Sequence, residues 1–215
     1  MIYLSGCAAR SRLPGMQAAG IGLMLTPDAG YGPEWASAVS HWAADNGCYS
    51  AGDRFDFGYW LAWLERLSVV RSHCLFAVVP DVVGDAAATL QRWEAMAHRV
   101  RPLGYPLAFV LQDGQEVLPL PWSDCHAVFV GGSTEWKLSR HAAALVREAT
   151  RRGKWRHMGR VNSGRRLRYA AQIGCQSADG TYMAFNPSES IQRMGRWLTN
   201  ANAPQLGLWP REEGT

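Results

Sequence analysis

The sequence predicts an α/β fold, a compact TIM-like (β/α)₈ barrel formed as a single domain. Eight short apolar runs alternate with helical patterns along the chain, and such runs bounded by turns read as parallel strands buried on both faces. No repeat or linker divides the 215 residues, and with 47% hydrophobic content the chain is long enough for one substantial core and short for two. An open doubly wound sheet is the alternative architecture, but no GxGxxG follows the first apolar run.

Ile2 to Cys7 reads as a buried strand and Ile21 to Thr26 as a second, with little room between them for a full helix. Pro33 to Ala43 has a Pro-Glu start and carries Trp35, Val39 and Trp42, which suits a short helix running into a third strand near Trp42 to Asp45. Phe57 to Val70 is an amphipathic helix, because Trp60, Leu61, Leu64 and Leu67 recur at helical spacing while Glu65 and Arg66 lie elsewhere on the cylinder. Leu75 to Asp81 is strand-like, and Gly84 to Val100 returns to helix with Asp85 near its amino end to favour the dipole.

Pro106 to Leu111 is a buried strand ending at Gln112-Asp113-Gly114, after which Pro119 and Pro121 limit Val117 to Trp122 to a short crossover. Ala127 to Val130 is a strand stopped by Gly131-Gly132-Ser133, and Trp136 to Arg152 a long helix. Lys154 to Met158 is a strand closed by Gly159, Gly164 to Gln172 a helix, Ile173 to Ala178 the last strand and Ser188 to Leu198 the last helix. Residues 1–202 make the barrel and 203–215 a loosely attached C-terminal tail.

Every apolar run is shorter than a membrane span, and Met1-Ile2-Tyr3-Leu4 lacks the basic start and long apolar core of a signal peptide, so a soluble cytoplasmic protein with no membrane partner is expected. Cys7, Cys48, Cys74, Cys125 and Cys175 are scattered, with no CxxC pair and no zinc spacing, and most of them read as buried small residues. The six histidines make no metal set and read as surface or packing residues, so no metal is expected. Trp60, Trp63 and Trp93 read as core. The net charge of +4 is modest, but Arg151, Arg152, Lys154, Arg156, Arg160, Arg165, Arg166 and Arg168 follow one another with no acid among them. Phosphate is the natural partner of such a stretch, and a solvated helix surface the alternative.

Barrel strands share one mouth at their carboxyl ends. Asp45, Asp81, Gln112, Gly131, Gly132 and Asp179 all follow apolar runs and converge there. Carboxylates gathered from separate strands can divide nucleophile and acid/base roles when their environments push their pKa values apart, as glycosyl transfer requires. Gln112 and the Gly131-Gly132 backbone add groups able to read the edge of a flat heterocycle, the glycines by close approach. Asp179-Gly180 and Asp45-Asn46-Gly47 are also ordinary turn sequences, and the residues alone leave that reading open.

The same residues, in order, resemble a family. Asp45-Asn46-Gly47-Cys48-Tyr49 is similar to the DSGGF element of tRNA-guanine transglycosylases, Leu111-Gln112-Asp113-Gly114 to their VQGG, Val130-Gly131-Gly132-Ser133 to their GG-L loop, Met158-Gly159 to LMGVG, and Ile173 to Thr181 to GVDMFDC. Asp81 fits the family's base-reading aspartate. The resemblance implies that Asp179 is the nucleophile that expels guanine and forms a covalent glycosyl-enzyme, that Asp45 has acid/base duty, that Asp81 and Gln112 bind the base edge, and that the Gly131-Gly132 backbone contacts the same base.

The departures refine this. The tRNA enzymes carry a zinc site of cysteines and a histidine after the nucleophile, whereas no cysteine follows Asp179 here, and Asn46 and Cys48 replace the usual serine and glycine. A small chain without the zinc subdomain looks most like the phage and bacterial relatives that install 7-deazaguanines in DNA. The implied partners are DNA, guanine and a free 7-deazaguanine base of preQ0 or preQ1 type, in a bacterial or phage-infected cytoplasm, with no cofactor because glycosidic bond energy is exchanged. The basic residues from Arg151 to Arg168 then contact the nucleic-acid backbone. The target nucleotide must be flipped out or single-stranded, with Tyr49, Trp136 and Tyr182 as candidates to stack on it. The alternatives are a tRNA base exchanger, a nucleic-acid N-glycosidase and a non-catalytic DNA-binding barrel.

Overall fold

The computed structural model describes residues 1–184 and 187–203, the side chains at 187 and 188 excepted. The expected tail, apart from Ala203, lies outside the described residues. Eight parallel strands close into one barrel in sequence order: β1 (Ile2–Ser5), β2 (Ile21–Leu25), β3 (Trp42–Ala44), β4 (Cys74–Val78), β5 (Leu107–Leu111), β6 (Ala127–Val130), β7 (Trp155–Met158) and β8 (Ser177–Gly180). Closure comes from β8, which pairs in parallel with both β7 and β1. Outside them run α1 (Leu13–Ala18), α2 (Pro33–Ala36), α3 (Cys48–Ala51), α4 (Phe57–Arg66), α5 (Ala86–Val100), α6 (Thr134–Lys137), α7 (Arg140–Arg151), α8 (Gly164–Ile173) and α9 (Pro187–Asn202). Among the described residues no helix is long and apolar enough to cross a membrane.

The expected elements are present with four shifts. The helix expected from Pro33 stops at Ala36, well short of β3. The helix from Phe57 is α-helical only to Arg66 and continues as a 3₁₀ turn over Leu67–His73, where the β-branched pair Val69-Val70 suits the α-helix poorly. The single helix expected from Trp136 to Arg152 is two, because the Ser139 hydroxyl accepts the Ala142 N–H at 3.3 Å and starts α7 afresh. The last strand begins at Ser177: Gly174, at φ +101°, ends α8, and β8 extends through Asp179 to Gly180. Between β5 and β6 no α-helix forms; a 3₁₀ turn over Gln115–Val117 leads into the Pro119 and Pro121 segment.

Two apolar layers separate by strand alternation. Leu4, Met24, Ala43, Phe76, Val78, Ala108, Val110 and Ala127 pack together within the barrel, with Phe129 and Trp155 against them. The alternate residues, such as Tyr3, Leu23, Trp42, Ala77, Phe109 and Val128, join Trp60, Trp63 and Trp93 in the core between strands and helices. These tryptophans are anchored as well as buried: Trp60 Nε1 donates to the Asp45 carbonyl at 3.1 Å and Trp63 Nε1 to that of Tyr31 at 3.1 Å, while Trp93 meets Phe109 edge-on at 5.4 Å. Cys48, Cys74, Cys125 and Cys175 are buried free thiols. Stepping by two from Ala43, Val110, Phe129 and Ser177 brings the inward row to Asp45, Gln112, Gly131 and Asp179, all at the carboxyl-terminal mouth.

Candidate functional site

The mouth holds a cavity of about 450 Å³, lined by Asp45, Asp81, Gln112, Gly131, Gly132 and Asp179 together with Tyr49, Arg160, Asn162 and Thr181. Its size suits a small organic ligand. All six residues singled out at the strand tips therefore share one space.

Asp45 is fixed at the end of β3 by its own N–H, which donates to the Leu25 carbonyl at 2.8 Å, and by Trp60 on its carbonyl. Burial, and then the neighbouring carboxylates of Asp179 and Asp81, push its carboxyl up to about 7, against smaller opposing effects of the Asn46 and Gly47 backbone N–H groups. Near neutral pH this group can both give and take a proton.

Asp81 sits in a closed network. Asn46 Nδ2 donates to its Oδ1 at 2.8 Å and Gln112 Nε2 to its Oδ2 at 2.5 Å, while Arg92 donates to its backbone carbonyl at 2.6 Å. Burial raises the Asp81 carboxyl, partly offset by these amide donors and Arg92. The Gln112 carbonyl oxygen accepts from the Gly84 N–H at 3.0 Å and the Gly132 N–H at 2.8 Å, so two backbone donors fix which way the amide points. Asn46 Oδ1 accepts the Cys48 N–H at 2.8 Å. Asn46 thus links the β3 tip to Asp81.

Close approach explains the glycine pair. A Cβ on Gly131 would stand 2.8 Å from Val110 Cγ1 and 3.0 Å from Gln112 Nε2; one on Gly132, whose φ is +66°, would stand 2.7 Å from Asp113 Oδ2 and 2.8 Å from Trp136. A side chain at 131 would press on Val110 and Gln112, and one at 132 on Asp113 and Trp136.

Asp179 is held from the adjacent strand. His157 Nε2 lies 2.9 Å from Asp179 Oδ1, His157 Nδ1 lies 2.8 Å from Ser177 Oγ, and Trp155 Nε1 donates to the same Ser177 oxygen at 2.8 Å. His157 is fully buried, its ring 4.6 Å from that of Phe129 and 5.1 Å from that of Phe76. The expectation that all six histidines are surface or packing residues is corrected here: His157 contacts the candidate nucleophile. Lys137 is a second unanticipated neighbour. Its buried ammonium donates to the Gly159 carbonyl at 2.7 Å, and burial, with repulsion from Arg160, pushes it down to about 8 while Asp179 pulls the other way.

The basic stretch does not form one face. Arg151 and Arg152 end α7 and pair with Glu148, which precedes the stretch. Lys154 donates to the Cys125 carbonyl at 2.8 Å, and Arg156 to the Gly174 carbonyl at 3.0 Å. These four adjoin the start of β7, at the barrel end opposite the cavity. Arg160, Arg165 and Arg166 follow the carboxyl end of β7 on the mouth side, and Arg168, further along α8, lines a groove with Arg165, Trp197 and Asn200. Among the described residues Arg160 is the only non-glycine with positive φ, +58°; this left-handed conformation costs about 1 kcal/mol. It places the guanidinium over the Tyr49 ring at 4.7 Å and on the Gly132 carbonyl.

Of the candidate stacking aromatics, exposed Tyr49 lines the cavity. Trp136 is instead buried, its Nε1 donating to Glu116 at 2.9 Å, and Tyr182 packs on Trp197 at 4.7 Å. Among the described residues no group of three or more His, Cys, Asp or Glu side chains is placed to hold a metal ion.

No protein-family model and no curated protein matches the sequence. Solved structures do share the fold. The tryptophan synthase alpha-subunit of Pyrococcus furiosus is similar at 14% identity and a TM-score of 0.58, over 93% of this chain and 96% of that one. A 4-hydroxy-2-oxoglutarate aldolase/phosphogluconate aldolase gives 12% identity and 0.57, over 94% of each chain. Dihydrodipicolinate synthase from Bacillus clausii gives 9% and 0.56, over 94% of this chain and 75% of that one. These neighbours are TIM-barrel enzymes of other chemistries, and at such identities the likeness shows the fold alone.

Proposed function

We propose that this cavity is the active site of a pentosyltransferase that replaces guanine in DNA by a 7-deazaguanine, through a covalent bond between the sugar and Asp179. The observation that carries the reading is the contrast between two carboxyls in one cavity. Asp179 has one oxygen hydrogen-bonded by His157, leaving the other for attack, whereas Asp45 is pushed up to about 7 and can act as an acid.

In the first displacement an Asp179 oxygen bonds to the anomeric carbon as the glycosidic carbon–nitrogen bond breaks. The electron pair leaves with guanine, which takes the Asp45 proton. In the second, the Asp45 carboxylate removes the ring N–H proton of the incoming deazaguanine, whose nitrogen attacks the anomeric carbon and releases Asp179. Protons and bonds balance over the cycle, and both carboxyls return to their starting states.

The base lies against the wall of Asp81, Gln112, Gly131 and Gly132. Gln112 Nε2 has a second N–H beyond the one given to Asp81, and Gly131 and Gly132 line the same cavity. Tyr49 offers a stacking face at the mouth. Arg160, Arg165 and Arg166 are the phosphate contacts this reading keeps from the longer basic stretch. DNA is the polymer this reading takes, and the exchange experiment below sets it against tRNA.

The test is incubation with labelled guanine and either DNA or tRNA. Label is expected in DNA and not in tRNA, and Asp179→Ala should abolish its uptake. Uptake into tRNA alone overturns the substrate assignment; exchange that persists in Asp179→Ala overturns the nucleophile. Release of guanine without uptake indicates an N-glycosidase.

A further inference from the structure

We propose that His157 is the positioning residue for Asp179, locked as its Nε2–H tautomer by a one-way hydrogen-bond chain from Trp155 through Ser177. The chemistry rests on the transglycosylase reading, whereas the geometry stands without it.

The direction of the chain follows from its two ends. An indole N–H can only donate, so Ser177 Oγ accepts from Trp155 at 2.8 Å. A carboxylate oxygen can only accept, so His157 Nε2, 2.9 Å from Asp179 Oδ1, carries the ring proton and donates it there. In the neutral ring Nδ1 is then the acceptor, and the Ser177 hydroxyl proton points at it across 2.8 Å. All four side chains project inward from adjacent strands, and β7 and β8 are in register at His157 and Ser177. Phe76 and Phe129 hold the fully buried ring in place.

This arrangement occupies one carboxylate oxygen and leaves the other to the cavity. Without His157 the Asp179 carboxylate loses the hydrogen bond that holds Oδ1 and can turn about its Cβ–Cγ bond. When the free oxygen bonds to the anomeric carbon, the held oxygen becomes the ester carbonyl and keeps the same N–H, so no proton crosses the His157–Asp179 bond. His157 touches neither sugar nor base.

Two measurements on the full chain test this. In exchange kinetics, His157→Phe is expected to lower kcat on the order of 10²-fold with KM for DNA unchanged. His157→Gln, which restores an N–H donor, should recover most of that rate. Ser177→Ala should lower kcat less, again without a KM change, and carries this arm if His157→Phe does not fold. Unchanged kcat in both His157→Phe and Ser177→Ala overturns the proposal while leaving base exchange standing. The second measurement is ¹⁵N NMR of histidine-labelled protein, which needs no activity and decides the geometry even if base exchange is not found. A His157 proton on Nε2 that exchanges slowly, and exchanges faster in Asp179→Ala, is expected; protonation of Nδ1 alone overturns the proposal.

Discussion

The side-chain carbonyl of Gln112 accepts the Gly132 N–H at 2.8 Å, so the residue expected to read the base also holds the glycine expected to contact it. The same amide satisfies Gly84 and Asp81. Gln112→Ala therefore leaves two backbone donors and a buried carboxyl without this partner. A loss of roughly 2–4 kcal/mol is expected, read as a lowered melting temperature, together with weakened base binding.

Asp45 couples stability to pH. Its carboxyl is pushed up to about 7 in the folded protein from an ordinary value of 3.8. Between those values the unfolded chain gives up the proton while the native state keeps it, so the group destabilises the fold increasingly as pH rises from about 4 to about 7. Asp45→Asn should therefore stabilise the protein at pH 8 by roughly 2–4 kcal/mol, the lower figure allowing for Asp45's contact with the cavity. The gain should vanish near pH 4, a trend that denaturant titration at several pH values checks.

On the proposed mechanism the same group sets opposite pH limbs for the two half-reactions. Expulsion of guanine needs Asp45 protonated and should fall above about pH 7; uptake of the incoming base needs the carboxylate and should fall below it. Single-turnover release and uptake, followed separately against pH, should show limbs of opposite slope.

The division of the basic stretch is testable by salt dependence. Arg160→Ala and Arg165→Ala should each weaken DNA binding and reduce the slope of log K against log salt by about 0.9 on duplex DNA. The double variant Arg151→Ala/Arg152→Ala, at the far end of the barrel and paired with Glu148, should leave both quantities unchanged. Fluorescence anisotropy at several salt concentrations measures them.

The barrel was legible because buried parallel strands are apolar on both faces and turns punctuate them, and Asp45, Gln112 and Gly131 because each closes such a run. His157 was not, since β7 reads Trp-Arg-His-Met, a strand whose inward residues carry polar atoms, and its partners lie on the neighbouring strand. Stepping by two along Trp155, His157 and Gly159 beside Ser177 and Asp179 is the signal that finds it. Asn46 was hidden as a loop residue whose role depends on Asp81, 35 positions away. The basic stretch misled because contiguity in sequence is not contiguity in space: the end of α7, the whole of β7 and the start of α8 traverse the barrel from one end to the other.

The central claim is most directly tested by mass spectrometry of nucleosides digested from DNA after incubation with the protein and free 7-deazaguanine bases. The account predicts a deazaguanine deoxynucleoside in the DNA, matched by released guanine and absent with Asp179→Ala. DNA that keeps its guanine with every deazaguanine supplied would contradict it.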